Sequence, residues 1–188
     1  MADTQTARTL MPDSINSFTA LVHAVDPSDW TGSTPCTDWS VRDLVNHVTG
    51  EHLWVPHLLG GGTIAEVGSR YDGDVLGSDP VATWDAAASV SAKEFAAASD
   101  SQPVHLSFGD TPLGEYADQM LTDLVIHGWD LARSIGVPPA PDPAAVAHVT
   151  AYLAEHVEEW RGFGFKDAVT GSYDSPLDRL IALSGRRP

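Results

Sequence analysis

Apolar residues recur at helical spacing in several separate stretches of the chain. In the first stretch the apolar positions are Ile15, Phe18, Leu21, Val22 and Val25. Residues three or four apart share one face of an α-helix, so this pattern predicts an amphipathic helix from Asp13 to about Val25. Pro27 and Gly32 interrupt the pattern afterwards.

Polar residues that favour helix N-termini mark the next two helices. Ser40 is followed three residues later by Asp43, which resembles a capping box and predicts a second helix that ends near Pro56. Asp79 precedes a proline at the first helical position, which predicts an alanine-rich third helix over 80–98.

The second half of the chain continues in the same way. Residues 112–135 and 142–160 have the pattern of a fourth and a fifth helix, and the apolar residues within 177–183 indicate one short final helix that docks. Residues 104–108 alternate as a short strand would. Several amphipathic helices without a series of strands predict an all-α fold, and a helical bundle is preferred over other all-α arrangements.

Length, charge and cysteine content narrow the class of protein. A chain of 188 residues favours a single domain over 1–188. The net charge of −16 disfavours nucleic acid as a partner. A single cysteine, the absence of a secretory pattern at the N-terminus and the absence of a run of about 18 apolar residues predict a cytoplasmic protein without a membrane span.

The predicted fourth helix carries polar residues at the border of its apolar face. Asp123 and His127 are four residues apart and therefore lie one above the other, and Asp130 follows three residues later, close to the same side. Burying a carboxylate or an imidazole without a partner is unfavourable by about 1–3 kcal/mol or more. These side chains therefore need a partner.

The second helix shows the same feature. His47 falls inside the apolar arc of this helix, and Glu51 lies four residues later on the same side. A divalent metal ion between the two helices would account for both groups, with His47, Asp123 and His127 as ligands. The alternative is that Asp123 and His127 are only a hydrogen-bonded pair and that His47 binds a backbone carbonyl.

The ligand types restrict the metal. Imidazoles and a carboxylate suit zinc, nickel, iron(II) or manganese, and zinc is the first choice. The absence of thiolate ligands argues against a closed structural zinc site. No metal role is assigned to the other histidines, and Cys36 is interpreted as a packed, unreactive residue. The sequence leaves open whether Glu51 or Asp130 assists the site.

Three segments resemble a known family. They are TPCTDWSVRDLVNHV at 34–48, DLVIHGWDLAR at 123–133 and DRLIALSGRRP at 178–188. The first two are similar to motifs of the DinB-like superfamily, in the branch of the mycothiol-dependent maleylpyruvate isomerase N-terminal domain. The third is similar to the C-terminus of an actinobacterial metal-binding group.

The resemblance implies an up-down-down-up four-helix bundle with extra short C-terminal elements. It also implies a metal held by one histidine of the second helix and by an acidic residue and a histidine four apart on a later helix, which correspond to His47, Asp123 and His127. The acidic ligand of the family is usually Glu, whereas this chain has Asp, which is one methylene shorter.

Members of the superfamily include enzymes that use mycothiol or another small thiol. The resemblance therefore implies a metal- and thiol-dependent transferase or isomerase, with a small-molecule thiol and an electrophilic substrate as partners. The alternatives are a metal-dependent hydrolase and a non-catalytic domain that binds a metal or another ligand. Catalytic residues and the substrate are not predicted, and the oligomeric state is left open, with a homodimer as one possibility.

Overall fold

Helices form most of the structure, and one short hairpin interrupts them. A computed structural model of the chain describes residues 6–99, 101–162 and 164–188. In chain order the elements are α1 (Ala7–His23), α2 (Val41–Leu59), α3 (Ile64–Val67), α4 (Pro80–Ala97), β1 (Pro103–Leu106), β2 (Gly109–Pro112), α5 (Leu113–Ser134), α6 (Pro143–His156), a 3₁₀ helix (Val157–Trp160) and α7 (Pro176–Leu183).

Four of these helices form the bundle. Helix α1 packs against α4 and α5, and α2 packs against the same two helices, so the order around the bundle is α1, α4, α2, α5. Helix α6 packs on α5 and α1, and α7 packs on α6. The prediction of an all-α bundle with short additional C-terminal elements is confirmed. Among the described residues, every helix is too short or too polar to span a bilayer.

The predicted helix-start signals act as expected. The Ser40 side chain accepts a hydrogen bond from the backbone N–H of Asp43, and the Asp43 carboxylate accepts one from the backbone N–H of Ser40. Asp79 and Asp142 cap α4 and α6, each before a proline in the first turn. These caps satisfy N–H groups that the helix itself cannot.

Two helices extend beyond their predicted ends. Helix α1 begins at Ala7 rather than at Asp13, and Leu10 and Met11 of its added turns are buried. Helix α2 continues through Pro56 to Leu59, and Leu58 and Leu59 are buried. A proline within a helix removes one backbone hydrogen bond, and burial of these large side chains offsets that loss.

The region between α4 and α5 also differs from the prediction. The expected strand at 104–108 is β1, and it pairs in antiparallel fashion with β2, a strand that the sequence pattern did not indicate. Gly109 adopts a φ of 125° directly after the turn, a conformation that favours glycine. The four-residue helix α3 was not predicted either.

One histidine belongs to the apolar interior. His52 on α2 is buried beside Trp84, with ring centroids 5.1 Å apart, and its Nδ1 is 2.8 Å from the hydroxyl of Ser91 on α4. Burial lowers the pKa of His52 to about 4, although the charge of Asp123 acts in the opposite direction. The imidazole is therefore neutral at pH 7, and it has a packing role.

Candidate metal centre

The three predicted ligands meet where α2 packs against α5. Nε2 of His47 lies 3.2 Å from Oδ2 of Asp123, and Nε2 of His127 lies 3.8 Å from Oδ1 of the same carboxylate. One potential ligand atom from each residue lies within 4.8 Å of the other two. His47 and Asp123 have side chains that are 31% and 32% exposed, so the group is open on one side.

A neighbouring carboxylate orients His127. Nδ1 of His127 is 3.0 Å from Oδ2 of Asp130, which is fully buried. A proton on Nδ1 leaves Nε2 of the neutral ring as a hydrogen-bond acceptor. In this tautomer, Nε2 of His127 and Oδ1 of Asp123 are two acceptors 3.8 Å apart. A cation is the group that such an arrangement favours.

The electrostatics of the group favour an ionised carboxylate. Burial acts to raise the pKa of Asp123, but the hydrogen bond and charge of His47, with the charges of His127 and Arg186, lower it to about 2. For His47, burial acts to lower the pKa, but the hydrogen bond and charge of Asp123 raise it above its ordinary value. Negative charge at Asp123 therefore persists at neutral pH and attracts a cation.

A second group of potential ligands lies on the other side of the His127 ring. It consists of Cys36, His127 and Asp130. A cationic side chain already occupies this position, because Nε of Arg186 donates hydrogen bonds of 2.8 and 2.9 Å to the two oxygens of Asp130. Nη2 of Arg186 also donates to the sulfur of Cys36 at 3.4 Å. The guanidinium neutralises Asp130, so this second group has less need of a metal.

Cys36 contacts this site although it precedes α2 by several residues. Its thiol donates to Oδ2 of Asp130 at 3.3 Å. Burial and the negative charge of Asp130 raise the pKa of Cys36 to about 11. Cys36 is thus a protonated thiol at neutral pH and a weak nucleophile, in agreement with its interpretation as unreactive.

A cavity of about 440 Å³ adjoins the three ligand candidates. The indole of Trp39 forms part of its wall and packs against the imidazoles of His47 and His127, with centroid distances of 4.9 and 5.6 Å. The remaining wall consists of residues 35–38, 164–166 and 184–186, with Ile126 of α5. The cavity volume is large enough for a small organic molecule beside the ligand candidates.

A second cavity of about 430 Å³ shares Asp38, Trp39 and His47 with the first. Glu51 borders it but does not belong to either of the ligand groups found among the described residues. Burial and the charge of Asp123 raise the pKa of Glu51 above its ordinary value. The structure places Glu51 beside the site, outside its three ligand atoms.

The histidines to which no metal role was assigned have partners of their own. His23, His105 and His148 contact aspartates, His57 contacts Tyr71, and His156 packs on aromatic rings; the partners of the first three are Asp85, Asp110 and Asp118. The contacts of His23 and His148 join residues 62 and 30 positions apart, so the sequence spacing did not reveal them.

Arg186 is a residue of this site to which the sequence analysis assigned no role. It is 56 positions from Asp130, and its side chain is 11% exposed. The sequence contained one indication that Arg186 has a role. It follows a glycine, and the chain has only 10 basic residues against 26 acidic ones. A buried arginine requires a carboxylate partner, but the sequence could not show which one.

Comparisons with known proteins identify the family of the chain. Residues 11–132 match the family model of the mycothiol maleylpyruvate isomerase N-terminal domain, and this range contains all three ligand candidates. Two uncharacterized proteins of Mycobacterium tuberculosis, from strains CDC 1551 and H37Rv, are each 32% identical over 176 residues, which cover 91% of this chain and 92% of the relative. No solved structure matches the chain. The chain belongs to the family of the mycothiol maleylpyruvate isomerase N-terminal domain, within the DinB-like superfamily.

Proposed function

We propose that this protein binds one divalent metal ion through His47, Asp123 and His127 and uses it in a thiol-dependent transfer or isomerisation reaction. The observation that carries the proposal is the 3.8 Å separation of Nε2 of His127 from Oδ1 of Asp123, together with the contact of Asp130 with the opposite nitrogen of the ring. Nε2 of His47 completes the group.

The donor set fits a catalytic metal. Two imidazole nitrogens and one carboxylate oxygen suit zinc, with nickel, iron or manganese as alternatives. Asp123 is shorter than the Glu that is usual at this position, yet its Oδ2 lies 3.2 Å from Nε2 of His47 and its Oδ1 lies 3.8 Å from Nε2 of His127. Three protein ligands leave a coordination position for an exogenous group, and the adjoining cavity supplies the space.

The side chains around the three ligand candidates have distinct roles in this proposal. Asp130 fixes the tautomer and the orientation of His127. Trp39 packs on both imidazoles and excludes water from one face of them. A divalent metal held at this position would act as a Lewis acid that stabilises the thiolate form of a thiol. The Cys36 thiol already donates to Asp130 and accepts from Arg186, so in this proposal the nucleophile comes from a thiol cosubstrate such as mycothiol.

The shape of the site favours an enzyme over a purely structural metal domain. A structural site has a closed coordination sphere, whereas here the ligand group borders a cavity with polar and apolar walls. The family match to a mycothiol-dependent isomerase domain favours thiol chemistry over hydrolysis.

Metal analysis tests the first half of the proposal. We expect about one divalent metal per purified chain, and loss of that metal in His47→Ala and in His127→Ala. His148→Ala is the matched control, because His148 contacts Asp118 at 2.7 Å and lies outside both ligand groups. Full metal content in the His47→Ala/His127→Ala double variant would rule out the proposed ligands.

Cobalt(II) substitution tests the second half. A sulfur ligand on cobalt(II) gives an intense near-ultraviolet charge-transfer band, so mycothiol or a simpler thiol should produce this band in the cobalt protein. The Cys36→Ala variant should give the same band, because the sulfur comes from the added thiol. If small oxygen ligands perturb the spectrum and no thiol does so at millimolar concentration, the thiol-dependent function is wrong.

A further inference from the structure

Part of the cavity wall comes from the C-terminal region, outside the residues that match the family model. Residues 164–166 and 184–186 form this part of the wall, whereas the family match ends at residue 132. The chain's own C-terminal region therefore contributes the surface that faces the ligand group across the cavity. Selection among substrates is a role that this wall is placed to perform.

The backbone of Lys166 is held firmly within this wall. The guanidinium of Arg161 donates to the carbonyl oxygen of Lys166 and, at 3.0 Å, to that of Leu183. Gly185 has a φ of +85° and packs so closely that a Cβ at this position would lie 2.6 Å from the Lys166 carbonyl oxygen. Only glycine suits this close approach, which joins the two wall segments.

The side chain of Lys166 reaches towards the loop that precedes α2. Its ammonium group donates a hydrogen bond of 3.0 Å to the hydroxyl of Thr37, which also lines the cavity. A lysine ammonium has three donors, so two remain after this contact. Among the described residues no carboxylate lies within ion-pair distance of this ammonium, although Asp38 borders the same cavity.

The two cationic side chains of the cavity thus differ in charge compensation. Arg186 is neutralised by Asp130, whereas Lys166 has an uncompensated charge. The chain as a whole has a net charge of −16 and repels anions, so an anionic substrate needs a local cation in order to bind. Lys166 and Arg186 are the cationic residues that line this cavity among the described residues, and Arg186 is already paired with Asp130.

We propose that Lys166 and Thr37 form a subsite for a carboxylate group of the electrophilic substrate, an inference that rests on the proposed metal and thiol function. The ammonium and the hydroxyl together would donate to the carboxylate while the reacting carbon lies towards His47 and Asp123. Lys166 is a specificity-determining residue in this scheme and takes no part in bond making.

Thiols that also carry a carboxylate provide the probe. Each probe contains in one molecule the sulfur of the thiol cosubstrate and the carboxylate of the electrophilic substrate. Mercaptoacetate, 3-mercaptopropionate and 4-mercaptobutyrate would be titrated into the cobalt(II) protein, each against its neutral amide, with the sulfur-to-cobalt band as the readout. We expect at least one carboxylate of the series to bind about fivefold more tightly than its amide. The length of the thiol with the largest preference indicates the distance between the metal and the ammonium group of Lys166.

Variants separate Lys166 from direct chelation of cobalt by the carboxylate. The preference should vanish in Lys166→Met and survive in Lys166→Arg. Lys93→Met removes the same charge from an exposed position on α4 and should behave like the wild type. An equal preference in the wild type and in Lys166→Met would overturn the subsite. Failure of every thiol, charged or neutral, to produce the band would instead overturn the proposed function.

Discussion

The two sides of the His127 ring contain similar residues but differ in how completely their charges are paired. On the anchoring side, Nδ1 contacts Asp130, whose two oxygens receive hydrogen bonds from Arg186. On the binding side, Nε2 lies 3.8 Å from Oδ1 of Asp123, beyond hydrogen-bond distance. The Asp130 side chain is fully buried, whereas that of Asp123 is 32% exposed beside the cavity. A buried polar group that has all its hydrogen-bond partners stabilises the fold. A polar group that lacks some of these partners and lies beside a cavity is available to bind a ligand.

The largest effect should come from breaking the anchoring side. Arg186→Met leaves the fully buried Asp130 without its cationic partner, and we expect a loss of about 3–5 kcal/mol in the free energy of unfolding. Chemical denaturation measures this loss. Arg186→Met/Asp130→Asn removes both charges and should recover part of the stability. If the free energy of unfolding of Arg186→Met is within about 1 kcal/mol of the wild-type value, the pairing of Arg186 with Asp130 is not needed for folding.

The binding side should respond differently to substitution. Asp123→Ala removes a ligand, and we expect metal affinity to fall more than about 100-fold, beyond the usual effect of residues that only support a ligand. Asp123→Glu restores the carboxylate that is usual in the family and should retain the metal. Competition with a chelator measures both affinities. Similar losses in both variants would mean that the site requires the length of Asp, and no loss in either would remove Asp123 from the ligands.

The smallest expected effect on stability concerns His52. This residue extends the comparison of paired and unpaired polar groups to the interior of the bundle. Its pKa is lowered to about 4 in the folded state because burial disfavours its charged form, whereas the unfolded chain has an ordinary value near 6.5. The unfolded state therefore binds more protons as the pH falls below 6.5, and stability is lost from there down to about pH 4. Between pH 7 and pH 5 we expect this loss to be about 2 kcal/mol.

Urea denaturation at the two pH values measures the effect of His52. The matched variant is His52→Phe/Ser91→Ala, which replaces the hydrogen-bonded pair by apolar groups of similar size. Its stability should decrease less between pH 7 and pH 5 than that of the wild type. An equal decrease in both proteins would show that other groups account for the pH dependence.

Local signals in the sequence were sufficient for much of the fold. The capping box of Ser40 and Asp43 and the Asp79-Pro80 pair located helix starts correctly, because a cap involves only residues within one turn. The errors concern places where burial outweighed local preference. Helix α2 continues past Pro56, and α1 begins one to two turns before Asp13, because buried side chains there stabilise the added turns.

The candidate site divides in the same way. The shared face of Asp123 and His127 follows from helical geometry, so the sequence by itself determined it. Only the tertiary structure decided that His47 meets them, 76 positions from Asp123. It also brought Arg186 to Asp130 and Lys166 to Thr37, across 56 and 129 positions. Helical periodicity depends on neighbouring residues, whereas contacts between distant residues depend on how the helices pack and on the path of the C-terminal segment around them.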